Sequence, residues 1–405
     1  MPSVLPEGQP APSDGSLPEQ ALSELPLRPL GIYIHVPFCT TRCGYCDFNT
    51  YTAAELGTEP GASRAGYIDA AIHELALAAR VLGPDLPAVS TIFVGGGTPT
   101  VLPPDDLGRL ITAVRDHFGL APDAEVTTES NPESIDSAGL HRLRELGFNR
   151  ISFGMQSVVP HVLATLDRTH PPGRPLRAVA EAKAAGFTNT SIDLIYGTPG
   201  ESAADWVESL DAALGASPEH ISAYALIVEE GTRLAARIRR GELPSPDEDD
   251  LADKYLIADE RLNAAGLAAY EVSNWSRSAA TRCRHNLGYW RSHHWWGIGP
   301  GAHSHVGGVR WWNLKHPQAY ASRLASGQSP AQARELLSAE QRRVERILLE
   351  LRLADGLSTS LLTTTEQSRL VDLLARRLAV IEDGMLILTR DGRLLADGVI
   401  RDLLD

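Results

Sequence analysis

Between residues 31 and 227, short runs rich in β-branched residues alternate about six times with stretches whose apolar residues recur at helical spacing. The runs fall at 31–36, 91–94, 125–129, 150–155, 190–195 and 220–226. In the first intervening stretch Ile68, Ile72, Leu75, Ala79 and Leu82 make one apolar stripe that can cover a sheet. Repeated βα units pair their strands in parallel, so the chain is α/β, either doubly wound or curled into a barrel, and six units fit an incomplete barrel. In either arrangement the loops after the strands build the site.

The flanking segments read differently. Residues 1–28 are rich in proline, poor in bulky apolar residues and lack a basic stretch ahead of an apolar one, which reads as a flexible tail and not a targeting peptide. The barrel is expected over 29–227. Residues 228–333 are less regular and hold six of the seven tryptophans, a distinct extension. In 334–405, Ser338 and Gln341 form a capping box, a second helix covers about 365–378, and Asp383-Gly384 between two apolar runs signals a two-residue hairpin turn. Two helices and a hairpin resemble a winged helix. The formal charge of -14 lacks the clustered Lys and Arg that phosphates require, so this unit is expected to pack or dock a partner and not nucleic acid. No apolar run approaches the roughly 20 residues of a bilayer span, and a cytoplasmic location is expected.

Three of the four cysteines, Cys39, Cys43 and Cys46, lie within eight residues in the order C-x3-C-x2-C directly after the first strand. Such crowding suggests metal and not a disulfide framework. Four cysteines close a [4Fe-4S] cubane, whereas three leave one iron open to another ligand. The alternative is structural zinc, with Cys283 or a histidine as fourth ligand. After the second strand, Gly95-Gly96-Gly97-Thr98-Pro99-Thr100 gives backbone that a ligand can approach closely, although by itself it reads equally as a tight strand-to-helix turn.

The cysteine loop, ending in Tyr45-Cys46, resembles that of the radical S-adenosylmethionine (SAM) superfamily, and over about 350 residues the chain is similar to the oxygen-independent coproporphyrinogen III oxidase group. The resemblance implies an incomplete (β/α)6 barrel and a [4Fe-4S] cluster on Cys39, Cys43 and Cys46 whose fourth iron binds SAM. It also implies SAM contacts from Gly96, Gly97 and Thr98, Arg168 on the methionine carboxylate, Glu129, Gln156 and Asp193 on the amino and ribose groups, Tyr33 beside the cluster and Tyr45 near the adenine. The chemistry agrees, because a zwitterionic sulfonium with a diol asks for a guanidinium fork and several acceptors.

Within that group the coproporphyrinogen dehydrogenases carry one further cysteine two positions on, where this chain has Phe48. That departure, together with His285-Asn286-Leu287-Gly288-Tyr289-Trp290, resembles the haem-chaperone branch. Neutral imidazole is a common haem ligand and aromatic rings give flat apolar walls. His285 is the candidate ligand; Cys283 is weaker, and His293, His294, His303 and His305 stand near in sequence. Two further functions stay open: a radical SAM oxidoreductase acting on coproporphyrinogen III, and a zinc-stabilised interaction module. No catalytic residue is assigned. The expected partners are haem, a haem-acceptor protein such as a respiratory enzyme, an electron donor and a second copy in a homodimer.

Overall fold

The computed structural model describes residues 7–56 and 63–404. The six expected strands are present as β2 (Leu30–Val36), β3 (Val89–Gly96), β4 (Leu120–Ser130), β5 (Arg150–Gln156), β6 (Asn189–Tyr196) and β7 (His220–Ala225). They pair in parallel in chain order. Their outward residues, such as Ile32, Ile34, Ile92, Val94, Ile151 and Ile192, are buried under helices. The helix Arg64–Leu82 starts at Ser63, whose side chain accepts from the Gly66 amide, and it buries Ile68, Leu75 and Leu82 of the expected stripe. Polar side chains, among them Arg150, Ser152 and Gln156, fill the inner face instead, which is why a site can form inside the curl.

Residues 228–333 correct the expectation of an irregular extension. They supply β8 (Ala268–Glu271), β9 (Asn274–Ser276), β10 (His294–Ile298), β11 (His303–Val306), β12 (Val309–Asn313) and β13 (Ala331–Leu336), all in the barrel sheet. β9 runs antiparallel to β7 with β8 beyond it, while β10 lies parallel to β2 and leads into the antiparallel strands β11 to β13. The resulting 13-stranded sheet is open. Its tryptophans account for the misreading, because Trp275, Trp296, Trp311 and Trp312 are core residues of short strands.

The tail expectation is corrected as well; its first six residues lie outside the described ones. Gln9–Pro10, here β1, pairs with β13 and caps that sheet edge, where a proline costs little. Ala21 and Leu25 are buried in the main core, and Glu24 pairs with Arg342.

The C-terminal unit has its own apolar core, including Ile347, Leu373, Leu386 and Leu403. The capping box forms as read, with Ser338 Oγ accepting from the Gln341 amide at 3.2 Å and Gln341 Oε1 from the Ser338 amide at 2.8 Å. The strands Ala379–Glu382 and Met385–Leu388 flank Asp383 (φ 48°) and Gly384 (φ 77°), the left-handed pair that a two-residue hairpin requires. Arg390 and Arg393 reach Asp259 and tie this unit to the barrel. Among the described residues no helix is long and apolar enough to cross a membrane.

Candidate functional site

The loop leaving β2 is pinned from several sides. The Cys39 amide donates to Tyr51 O, the Gly44 amide to Leu166 O and the Leu234 amide to Gly44 O. Cys39, Cys43 and Cys46 are free thiols, half-buried on the wall of one cavity of ≈ 330 Å³ at the C-terminal ends of the parallel strands. Burial pushes the Cys46 thiol up to about 11, so iron would have to displace its proton.

Glycine is required opposite this loop. A Cβ at Gly97 would stand 2.5 Å from Phe38 O and 2.9 Å from Cys39 Sγ. Gly96, at φ 114°, donates its amide to Glu129 Oε2 at 3.0 Å. Burial, then the charge of Asp193, raises the Glu129 carboxyl to about 7; burial also raises Asp193, which accepts from Ser152 Oγ at 2.8 Å. Two carboxyls held above their usual range are a setting that a cation would relieve. Gln156 ends β5 at φ 65°, beside a register shift that turns its side chain into the cavity; such strain in a non-glycine residue belongs at a site. Arg168 donates to Asn131 Oδ1 at 3.0 and 3.1 Å and to Gly154 O at 2.8 Å, and its Nη1 lies 3.5 Å from Cys43 Sγ.

Tyr33, Tyr45, Gly96, Gly97, Thr98, Glu129, Gln156, Arg168 and Asp193 all line this one cavity with the three cysteines. The sequence reading missed Asn131, which holds the Arg168 guanidinium and donates to Thr98 Oγ1 at 3.0 Å. Its signal was its place one residue past the end of β4, two after Glu129. Arg150, Ser152, Ser222, Tyr224, Asn286 and Tyr289 are also part of the wall.

His285, the candidate haem ligand, lies elsewhere, on the barrel floor. It is 3% exposed, stacks on Phe93, and has both ring nitrogens occupied, Nδ1 with Thr91 Oγ1 and Nε2 with Tyr289 OH, each at 2.8 Å. Burial lowers it to about 3, so the ring is a neutral bridge with no nitrogen free for iron. Cys283 is fully buried against Glu125 Oε1 at 3.7 Å, at the opposite end of the strands from the other cysteines, and does not complete a four-ligand zinc site.

The sequence profile of the Radical SAM superfamily matches residues 33–213. The heme chaperone HemW of Mycobacterium tuberculosis is 54% identical over 383 residues, which cover 95% of this chain and 97% of that protein. The chain belongs to the HemW family. HemW of Escherichia coli is 36% identical over 69% of this chain and 71% of its own length. The mitochondrial radical S-adenosyl methionine domain-containing protein 1 of mouse is 37% identical over 67% of this chain and 60% of its own. The solved coproporphyrinogen III oxidase HemN of Escherichia coli superposes with a TM-score of 0.80 over 96% of this chain and 94% of its own, at 23% identity, which establishes the shared fold.

Radical SAM membership implies a [4Fe-4S] cluster and SAM, and the residues present fit both. Three thiols face a cavity whose other walls offer two guanidiniums, two raised carboxyls, side-chain amides and glycine backbone.

Proposed function

We propose that this HemW-family protein is a cytoplasmic haem chaperone in which Cys39, Cys43 and Cys46 hold a [4Fe-4S] cluster and the neighbouring cavity binds SAM. When bound, the cluster supplies an open iron and one-electron chemistry toward SAM. The chain's own residues do the holding. Arg168, steadied by Asn131, takes the methionine carboxylate; Glu129 and Gln156 serve the ammonium and Asp193 the ribose diol; Tyr45 walls the adenine side.

The observation that carries this reading is the meeting of the three thiols and every SAM candidate on one cavity, in a chain 54% identical to a protein named for carrying haem. Haem would lie where a second groove of ≈ 430 Å³ adjoins the cavity. The two share Tyr224, Asn286 and Tyr289, and the groove adds Val272, Trp290 and Leu349 as apolar wall. Phe48, 48% exposed, widens the apolar rim where the dehydrogenases place a cysteine. An electron donor, a haem-acceptor protein and a homodimer are the partners of this reading.

The test is a haem titration of the anaerobically reconstituted protein, followed by the Soret band, beside incubation with SAM, dithionite and coproporphyrinogen III. Stoichiometric haem uptake without protoporphyrinogen is expected. Turnover of coproporphyrinogen III with weak, non-stoichiometric haem binding would overturn the chaperone reading in favour of the dehydrogenase.

A further inference from the structure

Arg150 opens β5 and is 2% exposed, yet among the described residues its side chain has no ion-pair partner and its Nε is buried without a hydrogen bond. A buried guanidinium asks for both charge and hydrogen-bond partners, and Arg150 has the first, from Glu125 and Asp193, while its Nε meets no acceptor. The nearby carboxylates face Arg150 with their charge, but their hydrogen bonds run to other donors. Glu125 accepts from the backbone amides of Arg284 at 2.9 Å and His285 at 3.0 Å, Asp193 from the Ser152 hydroxyl, and Glu129 from the Gly96 amide. Arg150 nevertheless lines the cavity, together with Asn286 and Tyr289, which also line the neighbouring apolar groove.

We propose that Arg150 is a buried carboxylate anchor, and that the carboxylate it receives is a propionate of the haem carried in the adjoining groove. This rests on the haem-chaperone reading above. A guanidinium binds a carboxylate through two parallel N-H donors, a match that an ammonium or amide does not reproduce. The other carboxylate available to this cavity belongs to SAM. Position argues against it. The thiols and Arg168 stand at the C-terminal end of β5, where Arg168 meets Gly154 O, and the backbone of Arg150 lies four residues, roughly 13 Å, down the same strand. Asn286 and Tyr289, which share the cavity wall with Arg150, are also part of the groove.

The experiment compares haem with its dimethyl ester, whose propionates carry no charge, on reconstituted full-length protein in one detergent-containing buffer. Wild type is expected to bind haem about tenfold more tightly than the ester. Arg150→Met is expected to lose that preference by weakening haem alone, with affinity for the uncharged ester held within about twofold, and Arg150→Lys to recover part of it. Equal binding of haem and ester by wild type overturns the proposal without touching the chaperone reading. Loss of SAM binding in Arg150→Met, with the haem preference intact, reassigns the anchor to SAM and overturns it too. If wild type binds neither tetrapyrrole, the chaperone reading and the anchor fall together. The wild-type comparison stands even where Arg150→Met fails to fold.

Discussion

The two ends of the barrel interior use polar residues in opposite ways. At the C-terminal end the side chains keep unused capacity: three free thiols, a glutamate raised to about 7, and a glutamine strained at φ 65°. On the floor the capacity is spent. Glu125 takes two amides of the helix Arg284–Trp290, and His285 bridges Thr91 and Tyr289. A polar residue inside a fold is therefore a ligand candidate by what its hydrogen bonds leave over and not by its identity, and on the floor Arg150 and its cross-strand neighbour Thr127 break the pattern.

The largest expected effect tests the open end. Replacing any one of Cys39, Cys43 or Cys46 with Ser is expected to abolish the brown chromophore near ~400 nm and the bound iron after reconstitution, because each supplies one corner of the cluster. Cys283→Ser is expected to keep full iron content. Iron loss in Cys283→Ser would return that residue to the ligand set and dissolve the distinction between the two ends.

A smaller effect tests the spent end. Glu125→Ala strips the acceptor from two amides that open the helix Arg284–Trp290, and the expected loss is about 2–4 kcal/mol in denaturant unfolding, with iron content unchanged. His285→Gln keeps one donor and one acceptor, and is expected to cost about 1 kcal/mol and to leave the Soret band of the haem complex in place. A displaced or absent Soret band would make His285 a ligand after all, freed from Tyr289 when haem arrives.

Legibility in the sequence followed the same division. The parallel strands were readable because residues such as Ile32, Ile34, Ile192 and Ile221 are β-branched and buried. The cysteine loop was readable because ligand spacing is local, and the distant SAM candidates because strand ends share one rim. Asn131 was passed over although it stands on the same rim, since its use depends on Arg168, which is 37 residues away. The strands β8 to β13 were hidden because they are short, three of them are built around tryptophan, and β9 and β10 pair with barrel strands remote in sequence, as Trp295 does with Gly31. His285 was a candidate ligand because a sequence shows that an imidazole is present, while its hydrogen bonds to Thr91 and Tyr289 are visible only in the fold.

The smallest expected effect is a pH dependence of SAM affinity at the open end. Glu129 rises to about 7 in the folded protein from an ordinary 4.5, first through burial and then through Asp193. A carboxyl raised on folding contributes stability that is fully present below pH 4.5 and lost as pH climbs through 7, because the native state must then hold a buried anion. The SAM-free protein is therefore expected to melt at lower temperature at pH 8 than at pH 5.5, with part of that slope absent in Glu129→Gln. SAM brings an ammonium and a sulfonium and reverses the sign for binding, since the ionised carboxylate is the form that receives them. Affinity for SAM should rise by a few fold between pH 5.5 and 8 in wild type, and by less in Glu129→Gln. Glu74 also sits near 7, but it is closed by Tyr320, Gly299 and Asn313, so its titration should move the melting temperature and leave SAM affinity alone. An identical pH profile of SAM affinity in wild type and Glu129→Gln would mean that Glu129 is spent like the floor residues, and that the opposition between the two ends is drawn in the wrong place.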